Sequence, residues 1–354
     1  MKIVVLPGDG IGPEIVDAAL QVLDVVDKRF SLGVSCAFHA IGLETLRSRG
    51  TTFPEEAFEA CKAADGILLG PVSHQDYPPR SQGGINPSGA LRIRLDLFAN
   101  VRPSRSRVSM PHWGRTPMDL VIVRENTEGF YADRNMVEGP GEFMPTEGIA
   151  LAVRKVTAKA SERIARAAFE LAMQRGRKVT AVHKQNVMRL SDGLFLDCVR
   201  KVASAYPGVA YDEQLVDSMA AMLVRDASRY DVVVTTNMFG DILSDEAAEL
   251  SGSLGLAGSI NAGDGHCMAQ AQHGSAPGIA GQDLANPVSL VLSAAMLLRW
   301  LAARHRRDAF AQAHVAIESA VDAVLADPRR RTRDLGGPLG TRAFIEELGA
   351  ALAA

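Results

Sequence analysis

Two aspartates four residues apart, Asp241 and Asp245 in NMFGDILSDEAAEL, sit among side chains suited to burial. On a helix this spacing puts both carboxylates on one face, where they repel unless something positive lies between them. Asp217, in QLVDSMAAMLV, is a third acid with apolar neighbours. Together the three offer the hard oxygen ligands that Mg²⁺ or Mn²⁺ prefers, and no histidine or cysteine cluster competes. Helix capping for Asp217 and ion pairing for the other two are the plainer alternatives.

Cationic groups are spaced along the chain in ways that fit a polycarboxylate. Arg92 lies on the helical pattern of LRIRLDLF, Arg102 directly precedes Pro103, and Arg124 ends the apolar run DLVIV. Guanidinium forks grip carboxylates in pairs, so if these three converge they suit a di- or tricarboxylic acid; singly, each reads as a surface ion pair. Lys184 closes the run KVTAVH, at the strand end where α/β proteins place ligands, and neighbouring cations would lower its pKa toward the range useful for proton transfer. An exposed strand-end lysine is the plain alternative. Tyr131 follows Arg124 in RENTEGFY.

These side chains need a frame, and the hydrophobic pattern supplies one. Strands are expected at 2–6, 34–40, 66–70, 119–125, 178–183, 209–216 and 231–236, alternating with helical segments such as 161–175 and 191–206. Ser191 or Asp192 is the expected cap of the latter. Such alternation implies an α/β architecture. GDGIGPE, residues 8–14, makes a strand-to-helix turn but does not match GxGxxG, since Pro13 stands at the third glycine position and suits a first helical turn. Residues 132–150 are too polar and turn-rich for a routine connection and read as an arm or flap. The glycine-rich stretch 252–286 reads as one long functional loop.

With 354 residues, 47% of them apolar, the chain is long enough for two domains. A net charge of −3 gives no electrostatic reason to expect nucleic acid or an anionic membrane. The four cysteines form no CxxC pair and no disulfide framework. The apolar run 288–298 is interrupted by serines, stops at Arg299 and falls short of a span, so a cytoplasmic protein is expected.

In the same order along the chain, GDGIGPE, LDLFANVRP, VRENTEGFY, HKQNV, VDSMAAMLV, YDVVVTTNMFGDILSDEAAELSGSLGL, HGSAPGIAG and DLGGPLGT resemble the β-decarboxylating dehydrogenases, which include the isocitrate, homoisocitrate, 3-isopropylmalate and tartrate/malate enzymes. The resemblance implies a two-domain isocitrate/isopropylmalate dehydrogenase-like fold, distinct from a Rossmann domain. It divides the chain into a cofactor-binding domain of residues 1–99 with 252–354 and a substrate and dimerisation domain of residues 100–251, with an arm at about 132–150 exchanged between subunits. It also implies metal-dependent oxidation of a 3-substituted malate, with hydride transfer to NAD(P) and loss of CO₂.

Carried over by position, Arg92, Arg102 and Arg124 hold the substrate's carboxylates. Tyr131 donates a proton, Lys184 helps remove one, and Asp217, Asp241 and Asp245 bind the metal, Mg²⁺ or Mn²⁺. Lys184 and Asp217 would come from the neighbouring subunit of a homodimer. Asn86 and Ser88, before Arg92, would read the substrate's side group and point to isocitrate or homoisocitrate, with 3-isopropylmalate, D-malate and tartrate as alternatives. Gly10, Ile11, His273, Gly274, Ser275, Ala276, Pro277, Gly278, Ile279 and Asn286 would surround the cofactor. At 278 NAD-dependent members carry aspartate, and NADP-dependent members carry lysine with tyrosine at 279. With Gly278 and Ile279 the chain has no phosphate-binding cation there, and the reading leans to NAD with reduced discrimination. Gln270 replaces a usual glutamate. A regulatory subunit that has lost catalysis is the rival of another class; it would lack some of these arginines, the lysine or the aspartates, and all are present.

Overall fold

The computed structural model describes residues 1–131 and 141–353. The chain opens with β1 (Lys2–Leu6), α1 (Gly12–Phe30), β2 (Ser35–Phe38), α2 (Leu43–Arg49), α3 (Glu55–Lys62), β3 (Gly66–Leu69) and α4 (Pro87–Arg94). The middle holds β4 (Ala99–Arg105), β5 (Asp119–Glu125), β6 (Glu142–Thr146), β7 (Ile149–Ala152), α5 (Ala158–Met173), β8 (Lys178–His183), α6 (Ser191–Ala203), β9 (Ala210–Leu215), α7 (Val216–Asp226), β10 (Val232–Thr235) and α8 (Asn237–Ser251). The end returns with β11 (Ile260–Ala262), β12 (Cys267–Gln270), α9 (Val288–His305), α10 (Asp308–Ala326) and α11 (Thr341–Ala353).

Two compact units result. One comprises Met1–Leu95, Arg107–Pro111 and Ser253–Ala354; the other comprises Asp96–Ser106 and His112–Gly252. In the first unit the strand order is β2-β1-β3-β12-β11, parallel apart from the β11–β12 pair. Ile3, Val4, Val5 and Leu6 are all fully buried, as expected for a parallel strand covered on both faces. Pro13 is the second residue of α1 and Glu14 lies in its first turn, while Lys28 and Arg29 complement the helix dipole at the other end. By length and hydropathy α9 and α10 could each cross a bilayer, but 67% of the α9 window is buried inside the protein, which is how a core helix behaves.

In the second unit the order is β4-β5-β10-β8-β9, with β4 antiparallel and the others parallel. The period of two in each strand sorts its side chains to two layers. Val121, Val123, Val179, Ala181, Val232 and Val234 face α5 and α6, where Phe169, Phe195 and Val199 pack. Leu120, Ile122, Val182 and Val233 face α7 and α8, meeting Met219, Leu223 and Leu243. Fully burying a side chain of this size contributes about 1.5–3 kcal/mol. The second of these layers holds α7 and α8, and with them the three aspartates, against the sheet.

Two expectations are corrected. The stretch 252–286 is not one loop, because β11 and β12 lie within it and join the first unit's sheet. Neither Ser191 nor Asp192 caps α6: Leu190 occupies the cap position without a side-chain bond, and Asp192 is fully buried and bonded elsewhere. Of the expected arm, residues 132–140 lie outside the described residues, and the remainder includes the antiparallel ribbon β6–β7, every residue of which is exposed.

Candidate active site

The chain passes from β10 almost directly into α8, so Asp241 and Asp245 fall in the second and third turns of that helix. Arg124, the penultimate residue of β5, is 1% exposed. Its Nε donates to Asn237 Oδ1 at 2.8 Å and its Nη1 pairs with Asp241. Gly240 makes room for it: a Cβ there would lie 2.7 Å from Arg124 Cβ and Cγ. Arg102, on β4, sends Nη1 to Ser244 Oγ at 2.8 Å, Asp245 Oδ1 at 3.0 Å and Asp241 Oδ1 at 3.3 Å. The group between the two aspartates is therefore a guanidinium. Burial, and after it repulsion from Arg124, pulls the Arg102 pKa down to about 10, which leaves it charged at neutral pH. Tyr131 completes the cluster, its hydroxyl donating to Asp241 and its ring 5.4 Å from the Arg124 guanidinium carbon.

A second group stands apart in the same unit. Lys184 follows the end of β8, and its Nζ lies 2.6 Å from Asp217 Oδ1 in the first turn of α7. The pair is open to solvent, with side-chain exposures of 25% and 63%. The ammonium's hydrogen bond holds the Asp217 carboxyl below its ordinary pKa. Nearby, His183, Gln185, Asn186, Arg189 and Leu215 line an open depression of about 420 Å³. Among the described residues of the single chain, no three His, Cys, Asp or Glu side chains gather as a metal cluster.

In the first unit, Asn86 Oδ1 accepts from Gly89 N and so caps α4. Ser88 Oγ donates to Gln270 Oε1 at 2.8 Å, and Arg92 Nη2 donates to the same oxygen at 3.3 Å. At the glycine-rich turn, Gly10 has φ +58° and a Cβ there would lie 2.0 Å from the Ser275 carbonyl oxygen, which accepts from Ile11 N at 2.8 Å. Ser275 Oγ also meets Ser73 Oγ at 2.7 Å. His273 Nδ1 lies 3.0 Å from Gly274 O, while its buried Nε2 has no partner among the described residues. Burial pulls the His273 pKa down. Asn286 bridges Asp334 and Val288 N. Ala276, Pro277 and Gly278 are exposed and Ile279 partly so, and a Cβ on Gly278 would meet nothing within 4 Å.

Several supporting residues escaped the sequence reading. Asn237 and Ser244 hold the two buried arginines, and Gln270 orients Arg92. Asn237 precedes the aspartates and Ser244 lies between them in NMFGDILSDE, so their proximity to the site had a local signal; Gln270 was noted only as a replaced glutamate, and its bond to Arg92, 178 residues away, had none.

The family model described as isocitrate/isopropylmalate dehydrogenase matches residues 2–348. An isocitrate/homoisocitrate dehydrogenase of Thermus thermophilus is 44% identical over 356 residues, covering 99% of this chain and 98% of its own. A 3-isopropylmalate dehydrogenase of Archaeoglobus fulgidus is 40% identical over 354 residues, covering 99% of each. The crystal structure of isocitrate dehydrogenase from Methylococcus capsulatus superposes with a TM-score of 0.86 at 36% identity, covering 100% of this chain and 99% of that one.

Proposed function

The chain belongs to the isocitrate/isopropylmalate dehydrogenase family, and from that premise we propose that it oxidises and decarboxylates a 3-substituted malate, isocitrate or homoisocitrate, using NAD and a divalent metal. The observation that carries this reading is the convergence of the buried Arg102 and Arg124 with Tyr131 on the α8 aspartates. Two forked cations next to exposed carboxylate oxygens make a place for an anionic substrate.

The donor set fits Mg²⁺ or Mn²⁺: Asp241, Asp245 and Asp217 offer only hard oxygens, and their side chains are 34%, 51% and 63% exposed. When bound there, the metal supplies Lewis acidity toward the substrate hydroxyl and compensates charge during loss of CO₂. Gly10, Ile11 and residues 273–279 would hold NAD, which would accept the hydride. The chain's own residues do the rest. Arg102, Arg124 and Arg92 hold the substrate's carboxylates, and Lys184 takes the hydroxyl proton as the carbinol carbon is oxidised. Tyr131 returns one proton to the carbon that has lost its carboxylate. NAD is favoured over NADP because Gly278 and Ile279 offer no cation to a 2′-phosphate.

Lys184 and Asp217 are read as the neighbour's share of each site, which requires a homodimer. The exposed β6–β7 ribbon supports this, since two strands alone are marginal in water and this pair presents Phe143, Met144, Ile149 and Leu151 to solvent. The first unit is read as the cofactor-binding domain and the second as the substrate and dimerisation domain of a cytoplasmic enzyme. The test is reduction of NAD and NADP, followed by absorbance with Mn²⁺ present, over isocitrate, homoisocitrate, 3-isopropylmalate, D-malate and tartrate. The expected result is turnover fastest with isocitrate or homoisocitrate and NAD; a folded dimer silent on the whole panel overturns the reading in favour of a regulatory subunit.

A further inference from the structure

Behind the two groups of the site lies a buried ion pair that the mechanism does not use. Asp192 is fully buried, and its two oxygens have different partners. Oδ2 accepts from the backbone N of Lys184 at 2.5 Å, and Oδ1 accepts from Arg154 Nη1 at 2.5 Å. The Lys184 carbonyl in turn accepts from Val187 N and Met188 N, so its backbone is gripped on both sides. Arg154 reaches further. Its Nη1 also donates to Ser191 Oγ at 2.8 Å, and its Nη2 donates to Thr236 Oγ1 at 3.1 Å. Thr236 occupies the cap position of α8, and its hydroxyl does not cap the helix. The guanidinium carbon lies 5.5 Å from the ring centres of both Phe130, the neighbour of Tyr131, and Phe239, inside α8.

Burying a guanidinium and a carboxylate away from water is costly, and hydrophobic replacements of similar volume often serve stability as well. What a bare apolar contact could not do is fix three polar positions at once. We infer that Arg154 and Asp192 are positioning residues which brace, through one guanidinium, the backbone of Lys184, the start of the helix bearing Asp241 and Asp245, and the segment bearing Tyr131. The inference rests on the roles given to those groups above. In the dimer, Lys184 serves the partner's centre while Tyr131, Asp241 and Asp245 serve their own. One buried pair thereby sets the geometry of parts of two active centres, and Arg154 itself follows directly on the exposed ribbon, two residues after β7 ends.

The test compares Asp192→Asn, Thr236→Val and Arg154→Lys in the full-length dimer. Asp192→Asn is expected to lower kcat about tenfold or more while KM for the hydroxy acid moves less than about threefold, because displacement of a reacting group costs turnover before binding. Its amides at 183–188 should exchange faster with deuterium. Thr236→Val, close in volume and missing only the hydroxyl, is expected to lower kcat several-fold and raise the Mn²⁺ concentration for half-saturation, with exchange at 183–188 unchanged. Arg154→Lys, which keeps the charge opposite Asp192, should retain more activity than Asp192→Asn. An unchanged kcat in both Asp192→Asn and Thr236→Val, or equal loss in kcat and gain in KM, overturns the inference. If Asp192→Asn does not fold, Thr236→Val decides alone. If wild type is silent on every substrate, the functional reading falls, and unchanged deuterium exchange in Asp192→Asn then overturns the brace independently.

Discussion

Asp241 and Asp217 are chemically the same side chain placed in opposite surroundings. Asp241 faces two buried arginines, 1% and 6% exposed, and a tyrosine hydroxyl, all supplied by its own chain. Asp217 has one lysine, and both stand in solvent. A buried guanidinium is expensive to place and to remove; an exposed ion pair adds little to stability. The contrast separates a group that the chain packs around buried cations from one that it holds outward, which is where the proposed second copy would reach it.

The largest expected effect tests the first group. Arg124→Gln leaves Asp241 and Asn237 without their buried partner, and kcat/KM should fall by about 10³-fold, comparable to losing a preorganised charge donor. Loss below tenfold, measured by NADH formation, would remove Arg124 from the substrate's grip. The second group is tested by complementation. Asp241→Asn and Lys184→Met should each be inactive alone, but after the two are mixed, unfolded and refolded together, roughly a quarter of wild-type activity should return, because a statistical mixture of C2 dimers contains some with one intact composite site. No recovery would place both residues in the same subunit's centre. Stability sharpens the same contrast, since Lys184→Met should shift the melting temperature by no more than about 2 °C, as expected for an exposed pair. In the first unit, Gly278→Asp should fit without strain, given the empty space there, and raise the NAD to NADP ratio of kcat/KM about tenfold. Unchanged selectivity would put the ribose elsewhere.

The smallest effect concerns pH. Burial lowers the pKa of His183, His273 and His314 below the ordinary 6.5. Each binds fewer protons folded than unfolded, so stability is complete above pH 6.5 and declines as pH falls below it. Melting curves between pH 8 and 5 should show that decline, and it should shrink in His314→Gln. A flat profile would mean these rings are solvated.

Much of the frame can be read along the chain. KIVVL, DLVIVRE and KVTAVH are strands with the ends their apolar runs imply, because burial on both faces leaves a continuous signal. β4 gave no such signal: ANVRPSR carries two arginines and a proline, and it pairs with β5 because of where the chain brings it. β6 and β7 are equally silent, being exposed throughout. At the site, Arg102 before its proline and Arg124 at its strand end stood out as cations, though singly each read as a surface ion pair. That Arg102 would lie between Asp241 and Asp245 was not, because the contact joins residues 139 and 143 positions apart. Asp192 shows the same limit. A polar residue at a helix start reads as a cap, and only the fold reveals that its carboxylate is turned inward to Lys184 and Arg154.

The guanidinium lodged between the α8 carboxylates has a consequence for life without divalent ions. A pair of bare acids four residues apart on one helix face repels, at a cost of about 0.2–0.5 kcal/mol. Here Arg102 neutralises the pair from within, so treatment with EDTA should silence turnover yet leave the melting transition in place. A melting transition that collapsed with EDTA would instead make the proposed ion part of what holds the fold together.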